Sequence, residues 1–495
     1  MDTSYLADDN DSEITLYVRQ LMTALGPLLG VFMAGLSSGY SAVLLPQLHS
    51  PRSTDNRNTT SFINDGEKIR VSTIDEESWI ASSVVLPMAP GCWLSGYMME
   101  SLGRKRSTVI LLPMYLIAWL TISLANNVTC LIIGRLISGF CAGLMGPLIP
   151  VYISETSDPV LRGVLLSLIS MTLSTGILTV HAVGTWLDWR TTAYISVAFA
   201  VISCLTCIGA RESPTWLVNK GLRDSAIDSW VYLRGWRSLG EYEALENSKK
   251  AGRKSVKRSV YSKLGDTLSS RYFLLPLAVL LVFFFTAQFS GFNVVVFYSV
   301  DMLKEVTGPE NGYIGTLIMD VIRLITSIVV CFLIQYWGRR TLTLLSGYGT
   351  AFALFLLSFS LFFDIGRPWF TGVLLMLYTV FLTLGLAPLP WILCGELFPR
   401  KFRGLGSGLT SGFAFTCFFV VVKIAPWMFE SLEPYGTFMV YGVVSLLGTS
   451  FLYFALPETK DKTLQDIERC FDRKSGNNPE NGNTEIPMIV RKVNG

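Results

Sequence analysis

Three groups of charged residues occur twice along this chain, in the same order. Gly103-Arg104-Lys105 returns as Gly338-Arg339-Arg340, Glu155 with Arg162-Gly163 returns as Glu396 with Arg403-Gly404, and Arg211-Glu212-Ser213-Pro214 is mirrored by Pro457-Glu458-Thr459-Lys460. The offsets of about 235, 241 and 246 residues drift slowly, as expected of two related halves joined by a linker. Arginine and carboxylate attract more strongly at a partly dehydrated helix end than in open water. Pairs that form when one side of a two-part molecule closes, and separate when it opens, make a breakable latch. The candidate gate is Arg104, Glu155, Arg162 and Glu212 in the first half, with Arg339, Glu396, Arg403 and Glu458 in the second. The plainer reading is charge that only sets topology.

A second set is polar within apolar surroundings. Gln288 and Asn293 stand five positions apart in an apolar run, and Tyr298 lies five further on. Trp391 follows Pro388 and Pro390, which must interrupt regular helix bonding. Amide donors and acceptors beside an aromatic platform suit a solute with many hydroxyls and flat apolar faces. The competing reading is that the amides bond helices to one another. Asp320 and Arg323, three apart on one helical face, form either a self-neutralising pair or a site where Arg323 meets an anionic solute.

Other chemistries lack their residues. There is no G-x-x-x-x-G-K-[ST] loop for ATP, and Gly404-Leu405-Gly406-Ser407-Gly408 reads as close packing. His49 and His181 have no cysteine or serine partner arrangement, so a hydrolase is unsupported and His181 reads as a satisfied helix-end residue. Cys204 and Cys207 sit in Ile-Ser-Cys-Leu-Thr-Cys-Ile-Gly, too apolar for a metal or redox centre. No catalytic residues, cofactor or metal are expected.

The elements that must carry these residues are membrane spans. Only 16% of the residues are charged, against about 25% in an average soluble domain. About twelve stretches approach the roughly 20 apolar residues needed to cross a bilayer. They run over Leu21–Leu44, Trp79–Met98, Thr108–Leu124, Cys130–Tyr152, Val164–Thr185, Ala193–Gly209, Phe273–Val300, Tyr313–Trp337, Thr341–Phe363, Trp369–Cys394, Leu405–Pro426 and Tyr435–Leu456. The expected organisation is a segment 1–20, a six-helix bundle 21–210, a linker 211–270 with short helices, a second bundle 271–456 and a tail 457–495. The acidic residues before the first run argue against a signal peptide. Lys and Arg gather on one side if the helices alternate, which makes that side, with both termini, cytoplasmic. Asn58-Thr59-Thr60 then lies outside, where a glycosylation acceptor makes sense. The basic linker reads as solvated helices near anionic lipid. A net charge of +3 gives no reason to expect nucleic acid.

These motifs together resemble the sugar-porter family of the major facilitator superfamily: Gly-Arg-Lys/Arg after the second and eighth helices, Arg211-Glu212-Ser213-Pro214-Thr215-Trp216-Leu217, Gln288-Phe289-Ser290-Gly291-Phe292-Asn293, Pro388-Leu389-Pro390-Trp391 and Pro457-Glu458-Thr459-Lys460. Within the family, Gly385-Leu386-Ala387-Pro388-Leu389-Pro390-Trp391 followed by Gly395-Glu396-Leu397-Phe398-Pro399 is most similar to the insect facilitated trehalose transporters. The resemblance implies an all-α membrane fold of two pseudo-symmetric six-helix bundles. It also implies sugar contact at positions matching Gln288, Asn293 and Trp391. Several departures qualify it: Ala287 replaces the first of two glutamines, Ser170 a fifth-helix glutamine and Ala414-Phe415 an Asn-Trp pair, while Thr383 stands where some glucose carriers have glutamate. Proton-linked relatives place an aspartate in the first helix, whereas this chain reads Gly39-Tyr40-Ser41. The expectation is a facilitative carrier of trehalose or a hexose-like sugar in the plasma membrane, with the sugar and the lipid bilayer as its partners and no obligate protein partner. A proton-coupled sugar or organic-anion carrier, or a non-transporting sensor, remain the alternatives.

Overall fold

The computed structural model describes residues 13–48, 69, 71, 73–243, 246, 271–307, 312–364, 368–398 and 403–460. The first half comprises α1 (Glu13–Leu48), α2 (Ile74–Ser82), α3 (Met88–Leu102), α4 (Arg104–Ser123), α5 (Val128–Thr156), α6 (Pro159–Trp186) and α7 (Trp189–Cys207). Two short helices follow, α8 (Pro214–Lys220) and α9 (Arg223–Arg234). The second half comprises α10 (Arg271–Phe289), α11 (Phe292–Thr307), α12 (Gly312–Tyr336), α13 (Arg339–Phe362), α14 (Pro368–Leu384), α15 (Leu389–Glu396) and α16 (Arg403–Ala455).

Three pairs of these helices are single crossings broken in the middle, and one helix is two crossings. α2 and α3 are separated by a turn before Met88, α10 and α11 by Gly291, and α14 and α15 by the segment that ends in Pro388. In α16, Glu433 has φ 57 and precedes Pro434, so its 53 residues reverse direction there. The described residues thus make twelve crossings, six in each half. Large apolar side chains such as Ile117, Leu205, Phe332 and Leu447 are more than half exposed. A water-soluble domain does not tolerate such a girdle, and lipid requires one.

Small residues set how closely the helices approach. A Cβ on Gly91 in α3 would lie 2.7 Å from the Phe140 carbonyl of α5, and one on Gly35 in α1 would lie 3.0 Å from Gly176 Cα in α6. Where hydrophobicity does not drive helices together, such close approach carries the association. Within the first half α1 packs on α5, α6 and α7; within the second α16 packs on α10 and α13. The halves meet along α1 with α11, α6 with α12, and α2 and α3 with α16.

The linker helices dock on the first half. Ser213 caps α8 by accepting from the Trp216 amide, and Gly221 closes it in the left-handed conformation. Trp216, Leu217, Ala226, Trp230 and Tyr242 form a small core of their own. The Trp216 indole donates to the Glu100 carbonyl at 3.1 Å, and Gln20 ties α1 both to Leu233 and to Asp158. The end of the bundle that carries α8 and α9 is the linker end; the opposite end is the far end.

Candidate functional site: two ion-pair cradles and the seam between the halves

At the linker end the repeated charges build the same cradle twice. In the first half the Arg104 guanidinium meets both oxygens of Glu155 at 2.9 and 3.0 Å and donates to the Met99 carbonyl at 3.1 Å. Glu212 accepts from the backbone amides of Arg104 and Lys105 at 2.8 and 3.0 Å, and Ser213 donates to Glu155. In the second half Arg339 meets Glu396 at 3.4 Å and donates to the Ile334 carbonyl at 3.3 Å. Glu458 accepts from the amides of Arg339 and Arg340 at 2.8 and 3.1 Å, and Thr459 donates to Glu396 at 2.5 Å. Glu212 and Glu458 therefore sit on the positive N-terminal ends of α4 and α13. The glycine of each Gly-Arg pair makes room for that carboxylate: a Cβ on Gly103 would lie 2.9 Å from Glu212 Cδ, and one on Gly338 2.7 Å from Glu458 Cδ.

Of the other two gate candidates, Arg162 at the start of α6 has a buried Nε without a hydrogen-bond partner. It lies near Arg234 of α9, whose pKa burial pushes down, with Asp158 opposing the shift and Arg162 adding to it. Arg403 opens α16, and its side chain lies outside the described residues. Both cradles are internal to one half. Among the described residues no ion pair joins the halves at the linker end.

At the far end the halves are tied together. Lys423 of α16 pairs with Asp75 of α2 at 2.8 Å, its ammonium lies 4.2 Å above the Trp79 ring, and its carbonyl accepts from Ser78 at 3.0 Å. Trp79 also packs against Phe419. Deeper along the seam, His181 of α6 contacts the carboxylate of Asp320 in α12 through Nδ1, while its Nε2 meets the Gly39 carbonyl of α1 at 2.9 Å. Asp320 also accepts from Arg323 at 3.0 Å, and Arg323 lies 5.7 Å from the centre of the Phe292 ring. All three side chains are nearly inaccessible. Nearer the linker end, the Trp93 indole donates across the seam to the Gly408 carbonyl at 3.2 Å.

The amides stand at a helix break beside this seam. Gly291 has φ +87, and a Cβ there would lie 2.7 Å from the Tyr441 ring, so only glycine fits between α10 and α11. Across the break Asn293 Nδ2 donates to Gln288 Oε1 at 2.6 Å, and both residues are buried. Tyr298 sits at a second kink (φ −121, ψ 17), buried, and donates to the Val422 carbonyl at 3.3 Å. Trp391 is 42% exposed and packs edge-on against Phe284 and tilted against Phe415. Phe415 reaches the other half, its Cζ 3.8 Å from where a Cβ of Gly146 would stand. Thr383 is buried with an unpartnered hydroxyl, and Ser170 is exposed on α6. The structure thus brings together Gln288 with Asn293 and Trp391 with Phe415, and places Arg323 with Asp320 as the sequence spacing expected. Asn58 lies outside the described residues.

Sequence reasoning passed over three residues. Lys423 carries the far-end tie. His181, read as a helix-end residue, is bonded at both nitrogens but spans the two halves. Arg135 in α5 is fully buried, held by Ser41 and, at 3.2 Å, by the Ala81 carbonyl, and no carboxylate among the described residues pairs with it. An arginine inside an apolar run is by itself a signal that could have found it.

A family model described as sugar (and other) transporter matches residues 21–471. Curated relatives include the facilitated trehalose transporter Tret1 of Drosophila grimshawi, 31% identical over 456 residues covering 91% of this chain and 47% of that protein. Another is Tret1 of Apis mellifera ligustica, 30% identical over 462 residues covering 92% of this chain and 88% of that one. The chain spans about half the length of several of the curated relatives it matches. Among solved structures, the E. coli xylose transporter XylE in an inward open conformation superposes with a TM-score of 0.73 at 21% identity, covering 92% of this chain and all of that one. The proton:xylose symporter XylE bound to 6-bromo-6-deoxy-D-glucose gives 0.71 at the same identity, over 93% of this chain. The likeness to XylE gives the major facilitator fold of a multi-pass membrane protein, and the family match gives the lineage: this chain belongs to the sugar (and other) transporter family.

Proposed function

We propose that this chain is a uniporter that carries trehalose or a hexose-like sugar across the membrane by alternating access. The observation that carries the reading is the Gln288–Asn293 pair, two buried amides that face each other across a helix break beside the seam. A sugar hydroxyl can replace one amide as the other's partner, which makes the pair a ready exchange site. Trp391 supplies the aromatic face, and Phe415, Tyr298, Thr383 and Ser170 complete the candidate contacts. The ties at the far end, with both cradles internal to their halves, match a carrier closed on the far side and free to open at the linker end. Arg104, Glu155, Arg162, Glu212, Arg339, Glu396, Arg403 and Glu458 then form its gate. The linker side is taken as cytoplasmic, with both termini there, in the plasma membrane, with 21–210 and 271–456 as the moving bodies.

Uniport is favoured because the first helix reads Gly39-Tyr40-Ser41, without the aspartate of proton-linked relatives, and meets the buried Arg135 with the Ser41 hydroxyl. A neutral solute is favoured because Arg323 is already matched by Asp320. The relatives named as trehalose transporters point to the same substrate class. Counterflow of radiolabelled trehalose and glucose in proteoliposomes tests the proposal. Saturable exchange of either sugar, without accumulation under an imposed pH gradient, is expected. Binding without counterflow would instead identify a sensor, and accumulation driven by the gradient would identify a symporter.

A further inference from the structure

His181 is held between two groups that face it as acceptors. The Gly39 carbonyl, 2.9 Å from Nε2, can only accept, so Nε2 carries a hydrogen. The contact between Nδ1 and the Asp320 carboxylate then needs a hydrogen of its own, carried by the ring or by the acid. Either way the pair holds one proton more than a neutral imidazole beside a carboxylate. Without it, the Nδ1 lone pair would face carboxylate oxygen across a dry contact, because both side chains are 1% exposed. Gly39 permits the approach: a Cβ there would stand 3.0 Å from Nε2 and 2.7 Å from Val180 Cγ1.

Among the described residues, His181 and the Asp320 carboxylate hydrogen-bond to no side chain other than each other and Arg323. From α12, Asp320 and Arg323 face the ring, and Arg323 binds the other carboxylate oxygen. On the remaining neighbours of α6, Tyr40, Arg135 and Arg190 are engaged elsewhere. Tyr40 of α1 donates to the Trp189 carbonyl at 2.8 Å, Arg135 of α5 is held by Ser41 and the Ala81 carbonyl, and Arg190 of α7 donates to the Ala125 carbonyl at 2.8 Å.

We propose that His181 and Asp320 form a proton-binding site split between the two halves, complete only while the far side is closed, so that protons reaching the far side favour the closed state. When α6 and α12 part, the ring loses the carboxylate that shares its proton and meets far-side water, into which the proton can leave. The proton enters from that side and returns to it, so none is carried across and uniport is preserved. The state that binds more protons is favoured at low pH; the closed state therefore gives way as pH rises.

The inference rests on the alternating-access reading only for the opening of the far side, and its test uses no sugar. Spin labels on Asn126→Cys and Glu430→Cys, both exposed at the far end on opposite halves, report closure in the full chain in nanodiscs, with the unsubstituted protein as the control for native cysteines. The ratio of closed to open is expected to fall by up to about tenfold per pH unit as the proton leaves. His181→Gln and Asp320→Asn should each flatten that dependence, and a slope that survives either substitution overturns the site. Should those variants fail to fold, the chain has only two histidines, so His49→Gln leaves a single 15N-histidine signal to follow. Loss of the shared proton in step with far-side opening supports the proposal. A bare Nδ1 beside an ionised Asp320 carboxylate while the far side is closed, read from the 15N-histidine signal together with the 13C carboxyl signals of the aspartates, sinks it.

Discussion

The linker end and the far-end seam solve opposite problems with the same kinds of side chain. At the linker end the contacts of the cradle are duplicated: Arg104 with Glu155 and Arg339 with Glu396, Glu212 on α4 and Glu458 on α13, Ser213 and Thr459 as the hydroxyl donors. At the seam nothing is duplicated, and His181–Asp320 and Lys423–Asp75 each occur once. Contacts inside a half can be inherited by both halves, because each half must hold its own shape. Contacts between halves need residues unlike their symmetry mates, because a hydrogen bond or ion pair needs a donor on one side and an acceptor on the other. The repeat thus preserves the contacts made inside a half, and the departures from it mark the contacts made between halves.

The two cradles themselves are unequal, and breaking them should show by how much. Arg104 is 6% exposed against 19% for Arg339, and it grips both carboxylate oxygens where Arg339 reaches one at 3.4 Å. Arg104→Ala leaves Glu155 without its cation in a nearly dry site, a loss of about 3–5 kcal/mol. Arg339→Ala, in a wetter site with a longer contact, should cost about 1 kcal/mol. Thermal denaturation followed by size-exclusion chromatography reads the difference, and equal losses would mean that the cradles are equivalent.

The cradles were legible in the sequence because repetition is a property of order and spacing, which needs no coordinates. The seam was much less so. Asp320 and Arg323 could be paired from a spacing of three on a helix, yet nothing along the chain ties Asp320 to His181, 139 positions away on another helix. Lys423 sits in a span whose neighbours are all apolar, and its partner Asp75 lies just outside the expected start of the second span. The twelve crossings were evident from hydropathy. The breaks at Ser83 to Pro87 and at Gly291 were not, because interrupted helices keep the same apolar composition as continuous ones.

Next in size is the amide pair. Gln288→Leu keeps much of the volume but strips Asn293 Nδ2 of its acceptor, leaving a buried amide unsatisfied at about 1–3 kcal/mol. If the pair opens to take a sugar, the KM for trehalose exchange should rise roughly 5- to 150-fold. A purely structural pair would lower the thermal midpoint and leave KM unchanged, so the two readings separate on one variant.

A smaller effect compares the glycines. Gly103→Ala and Gly338→Ala each push a Cβ toward a capping carboxylate, but only Gly103 also has φ +96, against −66 at Gly338. Left-handed backbone under a side chain adds about 1–2 kcal/mol, so Gly103→Ala should be the more destabilising by that margin in the same denaturation assay.

The smallest effect belongs to the wet edge of the seam, and salt distinguishes it from the dry part. Asp75 is 72% exposed, so its bond to Lys423 is worth under about 1 kcal/mol, and Lys423→Ala should change equilibrium exchange no more than about fivefold. At 1 M salt, where the Debye length is about 3 Å, most of the Asp75 contribution is already screened, and the variant should approach the unsubstituted protein. What persists in high salt is the contact of the lysine with the Trp79 ring and its packing. His181→Gln acts at a contact sealed from solvent on both sides, where added ions cannot enter. Its effect on far-side closure should therefore be the same in 0.1 and 1 M salt. A shared salt response in the two variants would mean that opening is governed by the outer rim alone and that the buried pair merely follows it.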